Sequence, residues 1–141
     1  MSRLAVIVDT NVVVAGLLTA NGAAPVARIL DGMLTAAFPF VVSEALLAEY
    51  RTVLVRPKLR KLHGLTIKEV ETILIEIAQH AIVLNPQASA APPTPDPGDQ
   101  LLRDLLTTRA DLLLVTGDNQ LLQDGGMGGR VISPRAFMAS V

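Results

Sequence analysis

Leu4-Ala-Val-Ile-Val8 is an unbroken apolar run that stops abruptly at Asp9-Thr10-Asn11. A strand with apolar residues on both faces belongs inside a sheet that is covered on both sides. A chain built on such a strand is directed to a layered α/β arrangement, not to a helical bundle or a half-solvated antiparallel sheet. The run is also too short for the core of a signal peptide or for a membrane span, and no other run approaches the roughly 18 apolar residues a span requires. The expectation is a soluble, cytoplasmic chain with no membrane association.

The rest of the sequence repeats the theme of strand followed by helix. Residues 12–18 and 24–33 read as helices, the second with Pro25 in its first turn. Phe38–Val42 reads as a second buried strand, and Ser43 as the N-cap of a helix running to Val55, where Arg56-Pro57 stops it. Thr66-Ile-Lys-Glu69 is a capping-box pattern that opens a helix to His80. Ala81–Leu84 and Leu112–Val115 are further strands, and Arg130–Ile132 is a short fifth. Pro86–Gly98 is proline-rich and reads as an ordered surface crossing, ending at Asp96 as N-cap and Pro97 at the first helical position. Ser133-Pro134 caps the last helix. The 141 residues, half of them hydrophobic, suffice for one core and one domain, 1–141. The pattern predicts a three-layer α/β/α sandwich around a mostly parallel sheet.

Composition narrows the chemistry. There is no Cys and there are only two His, so thiolate metal sites, Cys nucleophiles, zinc enzymes and Ser-His-Asp triads are poorly supplied. Aromatics are 3%, which argues against base-stacking platforms. Net charge is −1, so any nucleic-acid contact must come from a local patch.

Carboxylates remain, and four have positions that matter. Asp9 ends the first strand and Asp118 lies two residues past another, where open α/β sheets place their chemistry. Glu49 borders the apolar stripe of its helix, with no Lys or Arg at i+3 or i+4. The small neighbours Ala45, Ala48 and Thr52 leave a hollow beside it. Asp99 stands in a first helical turn, four residues before Arg103. Each also has a plain structural reading: Asp9 and Asp118 as turn or cap residues, Glu49 as a solvated helix residue, Asp99 as an anion at a helix N-terminus paired to Arg103. Brought together, such acids repel unless a cation neutralises them. Oxygen-only ligands suit Mg²⁺ or Mn²⁺, the ions of metal-assisted phosphodiester hydrolysis.

Arg51, Arg56, Lys58, Arg60, Lys61 and Lys68 form a basic stretch, read either as a phosphate-facing patch or as a solvated helix end and loop. His63, within it, reads as exposed and inert. The Gly125–Gly129 loop lacks the Lys and the strand-to-helix context of a phosphate loop.

Val6-Ile-Val-Asp-Thr-Asn-Val, Ser43-Glu-Ala-Leu-Leu-Ala-Glu-Tyr, Asp96-Pro-Gly-Asp99 and Val115-Thr-Gly-Asp118 occur in the order and spacing of a PIN domain, and the chain resembles that family over nearly its whole length. Val53-Leu-Val-Arg-Pro-Lys58 further resembles the VapC-like toxins of prokaryotic toxin–antitoxin systems. The resemblance implies a five-stranded parallel sheet of order 3-2-1-4-5 and a Mg²⁺- or Mn²⁺-dependent ribonuclease. It also implies a homodimer and a small antitoxin partner whose tail reaches the active site. Asp9, Glu49, Asp99 and Asp118 match the family's acids, and Thr10, Asn11, Thr116 and Asn119 match polar positions near the site. Two features depart from the pattern. Gln120 stands where many relatives carry a further acid, which bears on a second metal site, and the Gly125–Gly129 loop is unusual. The Gln120 departure favours the alternative of a binding module without turnover. A HAD-like phosphohydrolase would need Asp at position 11, where this chain has Asn.

Overall fold

A computed structural model describes residues 4–86, 97–123 and 130–141, leaving aside the side chains of 97–99. The proline-rich crossing, Asp96 and the Gly125–Gly129 loop lie outside the described residues. In chain order the elements are β1 (Val6–Val8), α1 (Thr10–Leu18), α2 (Pro25–Thr35), β2 (Val41–Val42), α3 (Glu44–Leu54), α4 (Pro57–His63), α5 (Ile67–His80), β3 (Ile82–Val83), α6 (Pro97–Leu106), β4 (Leu113–Val115), α7 (Asn119–Gln123), β5 (Val131–Ile132) and α8 (Pro134–Ser140).

All strand pairs are parallel, as uninterrupted apolar strands require. Val6, Ile7 and Val8 are all buried. Successive side chains point to opposite faces, so both faces of β1 are covered. In place of one continuous five-stranded sheet there are two ladders, β1-β4-β5 and β2-β3. A single parallel bridge, Val6 to Phe40, sets β2 beside β1, and the expected succession 3-2-1-4-5 survives only through it. The Val6 N–H donates to the Pro39 carbonyl at 3.2 Å as part of this bridge.

Local signals set the helix starts. Ser43 Oγ accepts the Leu46 N–H at 3.0 Å, and Ser133 Oγ accepts the Ala136 N–H at 3.1 Å. Thr66 and Glu69 form the reciprocal capping box. Helix α3 then buries Leu46, Tyr50 and Leu54 in the core. The three Phe residues meet edge-to-face in one cluster, Phe38 to Phe40 and Phe38 to Phe137, which pins α8 to the core. Helices α1 and α2 approach closely at Gly16, where a Cβ would lie 2.6 Å from the Val26 carbonyl oxygen.

Two expectations are corrected. The stretch after Arg56 is a helix, α4, because Pro57 opens it at the first helical position. Gly64 closes it in the left-handed region, at φ 71°. His63 is half-buried rather than exposed. Its Nδ1 accepts the Leu65 N–H at 2.9 Å, so Nε2 carries the proton and donates to the Leu54 carbonyl, also at 2.9 Å. The ring thus ties the end of α3 to the end of α4.

Candidate active site

The Asp9 N–H donates to the Val115 carbonyl at 2.9 Å, so β1 and β4 end side by side. Asp9 leaves one strand end, and Thr116-Gly117-Asp118 leaves the other. Thr116, fully buried, is the hub between them. Its Oγ1 donates to Asp9 Oδ2 at 2.8 Å and accepts the Asp118 N–H at 3.0 Å. Asn11 Nδ2 donates to Asp9 Oδ2 and to Thr116 Oγ1, both at 3.2 Å, while Asn11 Oδ1 accepts the Gly117 N–H at 3.0 Å. One Asp9 oxygen is therefore fixed by two side-chain donors. Asp9 occupies the N-cap position of α1, but its side chain makes no capping bond.

Glu49 arrives from α3. Thr10 Oγ1 donates to Glu49 Oε2 at 2.6 Å, a short charge-assisted bond across 39 residues. The next residue, Tyr50, is fully buried, and its hydroxyl donates to the Val8 carbonyl. This bond joins α3 to the carboxyl end of β1, one residue before Asp9. Burial pushes the Tyr50 hydroxyl well above its ordinary pKa, and the nearby charges of Asp9 and Glu49 push it further the same way. No sequence pattern marks Tyr50 apart from the apolar stripe it belongs to.

Asp9, Glu49 and Asp118 line one cavity of about 490 Å³, together with Thr10, Asn11, Val14, Ala15, Leu18, Val53 and Leu102. The hollow beside Glu49 opens toward α1, not over Ala45, Ala48 and Thr52, which lie elsewhere on α3. Asp118 also caps α7, its Oδ1 accepting the Gln120 N–H at 2.9 Å. Asp99 lies in the first turn of α6, three residues before Leu102, and its side chain is outside the described residues. Asn119 is exposed at the start of α7 and takes no part in the network among the described residues.

The basic stretch divides. Arg51 is held by Glu71, with Nη2 to Oε1 at 2.8 Å, on the face between α3 and α5. Arg56 and Lys58 are exposed around the start of α4, and Lys68 on α5. Arg60 and Lys61 line a separate hollow with Pro57, Gly64, Leu65 and Thr66, and Arg60 Nε is buried there without an acceptor among the described residues.

The described lining of the acidic cavity offers oxygen donors and contains no Lys or Arg. That donor chemistry fits a hard divalent cation. No three acidic or imidazole groups among the described residues are grouped closely enough to hold an ion alone. A cation here would take at most two of these carboxylates and complete its shell with water or phosphate oxygens, as Mg²⁺ does.

A parallel α/β unit with acids at the carboxyl ends of its central strands is an open α/β fold with its candidate site where such folds place their chemistry. The family model for the PIN domain matches residues 5–120, and the chain belongs to the PIN domain family. The match spans β1 to the start of α7 and includes Asp9, Glu49, Asp99 and Asp118. PIN domains are generally nucleases that use divalent metal ions. A comparison with curated proteins gave no match. Among the described residues, no helix is long and apolar enough to cross a membrane.

Proposed function

We propose that this chain is a Mg²⁺- or Mn²⁺-dependent endoribonuclease, and that it is the VapC-like toxin of a toxin–antitoxin pair. On this reading residues 1–141 form one domain that acts in the cytoplasm as a homodimer held in check by a small antitoxin. The observation that carries the nuclease reading is the meeting of Asp9, Glu49 and Asp118 in one cavity with no Lys or Arg in its described lining. Carboxylates gathered in one hollow are costly unless a cation joins them.

Asp9 and Asp118 would supply the oxygens that hold the ion. Thr116 and Asn11 fix Asp9 Oδ2, so the carboxylate presents one orientation. Glu49 has Oε2 committed to Thr10, which leaves Oε1 to orient the attacking water and accept its proton. Asp99, in the first turn of α6, would share that work or hold a second ion. When bound, the divalent ion supplies Lewis-acid charge at the phosphate and lowers the pKa of the water. Attack on phosphorus forms one P–O bond and breaks another, giving two shorter strands. Arg56, Lys58, Arg60 and Lys61 draw in the RNA backbone, which the acidic cavity by itself repels. Arg51 contributes least, because Glu71 already holds it.

The catalytically silent alternative draws on Gln120, which contributes a backbone N–H to Asp118 and no carboxylate. Incubating single-stranded RNA with the protein in Mg²⁺ or Mn²⁺, with an EDTA control, separates the two. Internal cleavage that EDTA abolishes supports the nuclease. RNA bound but left intact in both metals supports the silent module.

A further inference from the structure

The lining of the cavity is of two opposite chemistries. Asp9, Thr10, Asn11, Glu49 and Asp118 are polar, and Val14, Ala15, Leu18, Val53 and Leu102 are apolar. We infer that these apolar residues form a nucleobase subsite, in which Val14, Leu18 and Val53 receive the base next to the phosphate that a divalent cation would hold at the carboxylates. The inference rests on the nuclease reading above.

Helix geometry supplies the reach. Thr10, Val14 and Leu18 follow at four-residue steps on α1 and make one stripe. At 1.5 Å per residue, Val14 lies about 6 Å along the axis from Thr10, and Leu18 about 12 Å. Val53 stands one turn after Glu49 on α3 and forms the facing wall. A phosphodiester placed at the carboxylates therefore brings an attached nucleoside directly over this stripe. Leu18 is 37% exposed, an uncovered apolar side chain at the mouth of a charged site.

The chain offers no exposed Phe, Tyr or Trp as a stacking platform. Its three Phe and one Tyr are all buried in the core, and it has no Trp. In this cavity, whose described lining has no aromatic ring, His or Arg, a base is left with aliphatic contact. The side chains of Val14, Leu18 and Val53 have no hydrogen-bonding atoms, so they pack against the face of a base and do not read its edge. The subsite thus demands an unpaired, splayed base and discriminates little among the four. An apolar side chain of a protein partner is the rival occupant. The base is favoured because the apolar residues line the same cavity as the carboxylates that would hold the cation, and with it the phosphate.

The test uses a fluorescein-labelled single-stranded octaribonucleotide and a series in which each position in turn is abasic. Binding to the full chain is read by fluorescence anisotropy in Ca²⁺, so the readout does not depend on turnover. One position should stand out, with about tenfold weaker binding when its base is missing, as expected when roughly 60 Å² of apolar surface is no longer covered. In Leu18→Ser and, separately, Val53→Ser, intact and abasic RNA should bind with equal, weakened affinity. Two substitutions on different helices guard against one failing to fold. A flat abasic series in a protein that still cleaves RNA overturns the subsite alone and leaves the apolar residues to a protein segment. Variants that keep the full abasic effect overturn it too. A chain that neither binds nor cleaves RNA overturns both the subsite and the nuclease reading.

Discussion

Replacing Tyr50 by phenylalanine removes one hydroxyl and leaves the ring in its place. The hydroxyl donates to the Val8 carbonyl, and the residue is 0% exposed, so water cannot take over the bond. Losing a buried partner of this kind costs about 1–3 kcal/mol. For a chain of this length that is ~3 °C of melting temperature per kcal/mol, or a fall of about 3–9 °C. The same bond sets α3 against the end of β1, and Glu49 is the preceding residue on α3. A displacement of about 1 Å in a catalytic group can cost on the order of 100-fold in rate. Tyr50→Phe should therefore lower kcat on RNA with little change in KM. Calorimetry and steady-state kinetics on the same preparation test both parts. An unchanged melting temperature, or an effect confined to KM, would refute the reasoning. The alkaline limb gives a further check. Tyr50 is held neutral above the ordinary value of 10.0. Its contribution is complete below that pH and is lost as pH rises through the folded-state value. The wild type should lose stability above about pH 10 more steeply than Tyr50→Phe.

Asp9→Asn should abolish cleavage while leaving melting temperature equal or higher. Asparagine Oδ1 can still accept the Thr116 and Asn11 bonds, and one repulsive charge is gone; a clear drop in thermal stability would return Asp9 to a turn or capping role. Neutralising Lys58, Arg60 and Lys61 together should weaken RNA binding and flatten its salt dependence by about 0.7 log units per decade for each phosphate left without its cation. Anisotropy titrations at several salt concentrations measure this, and an unchanged slope would leave the patch as solvated surface. Gly16→Ala should cost about 1–3 kcal/mol by overpacking, because its Cβ meets the Val26 backbone oxygen at 2.6 Å. Urea denaturation should show an earlier midpoint, and an unshifted midpoint would mean that α1 and α2 separate freely.

Much of the site is legible in the sequence because its signals are local. An apolar run that ends in Asp9 announces both the strand and the place where its side chain emerges, and Ser43 and Thr66 announce helix starts through their own hydroxyls. What the sequence hides depends on distant partners. Thr10 and Glu49 are 39 residues apart, and Tyr50 and Val8 are 42 apart, so no window along the chain contains either bond. Tyr50 reads as one more apolar position, since the stripe does not say that its hydroxyl finds a carbonyl. Helix α4 is hidden for a different reason. Proline stops a helix from within but suits the first turn of a new one, and Pro57 begins α4 only three residues after α3 ends at Leu54. Arg51 resembles its basic neighbours until α5 brings Glu71 to it.

Cleavage of a single-stranded RNA by the purified chain tests the central claim most directly. The assay compares wild type in Mn²⁺ or Mg²⁺, wild type in EDTA, and Asp9→Asn in the same metal. Internal cuts are expected in the first sample and none in the other two, with Asp9→Asn folded by circular dichroism. Intact RNA in every sample, or cutting that survives EDTA or the removal of the Asp9 carboxylate, would contradict the claim.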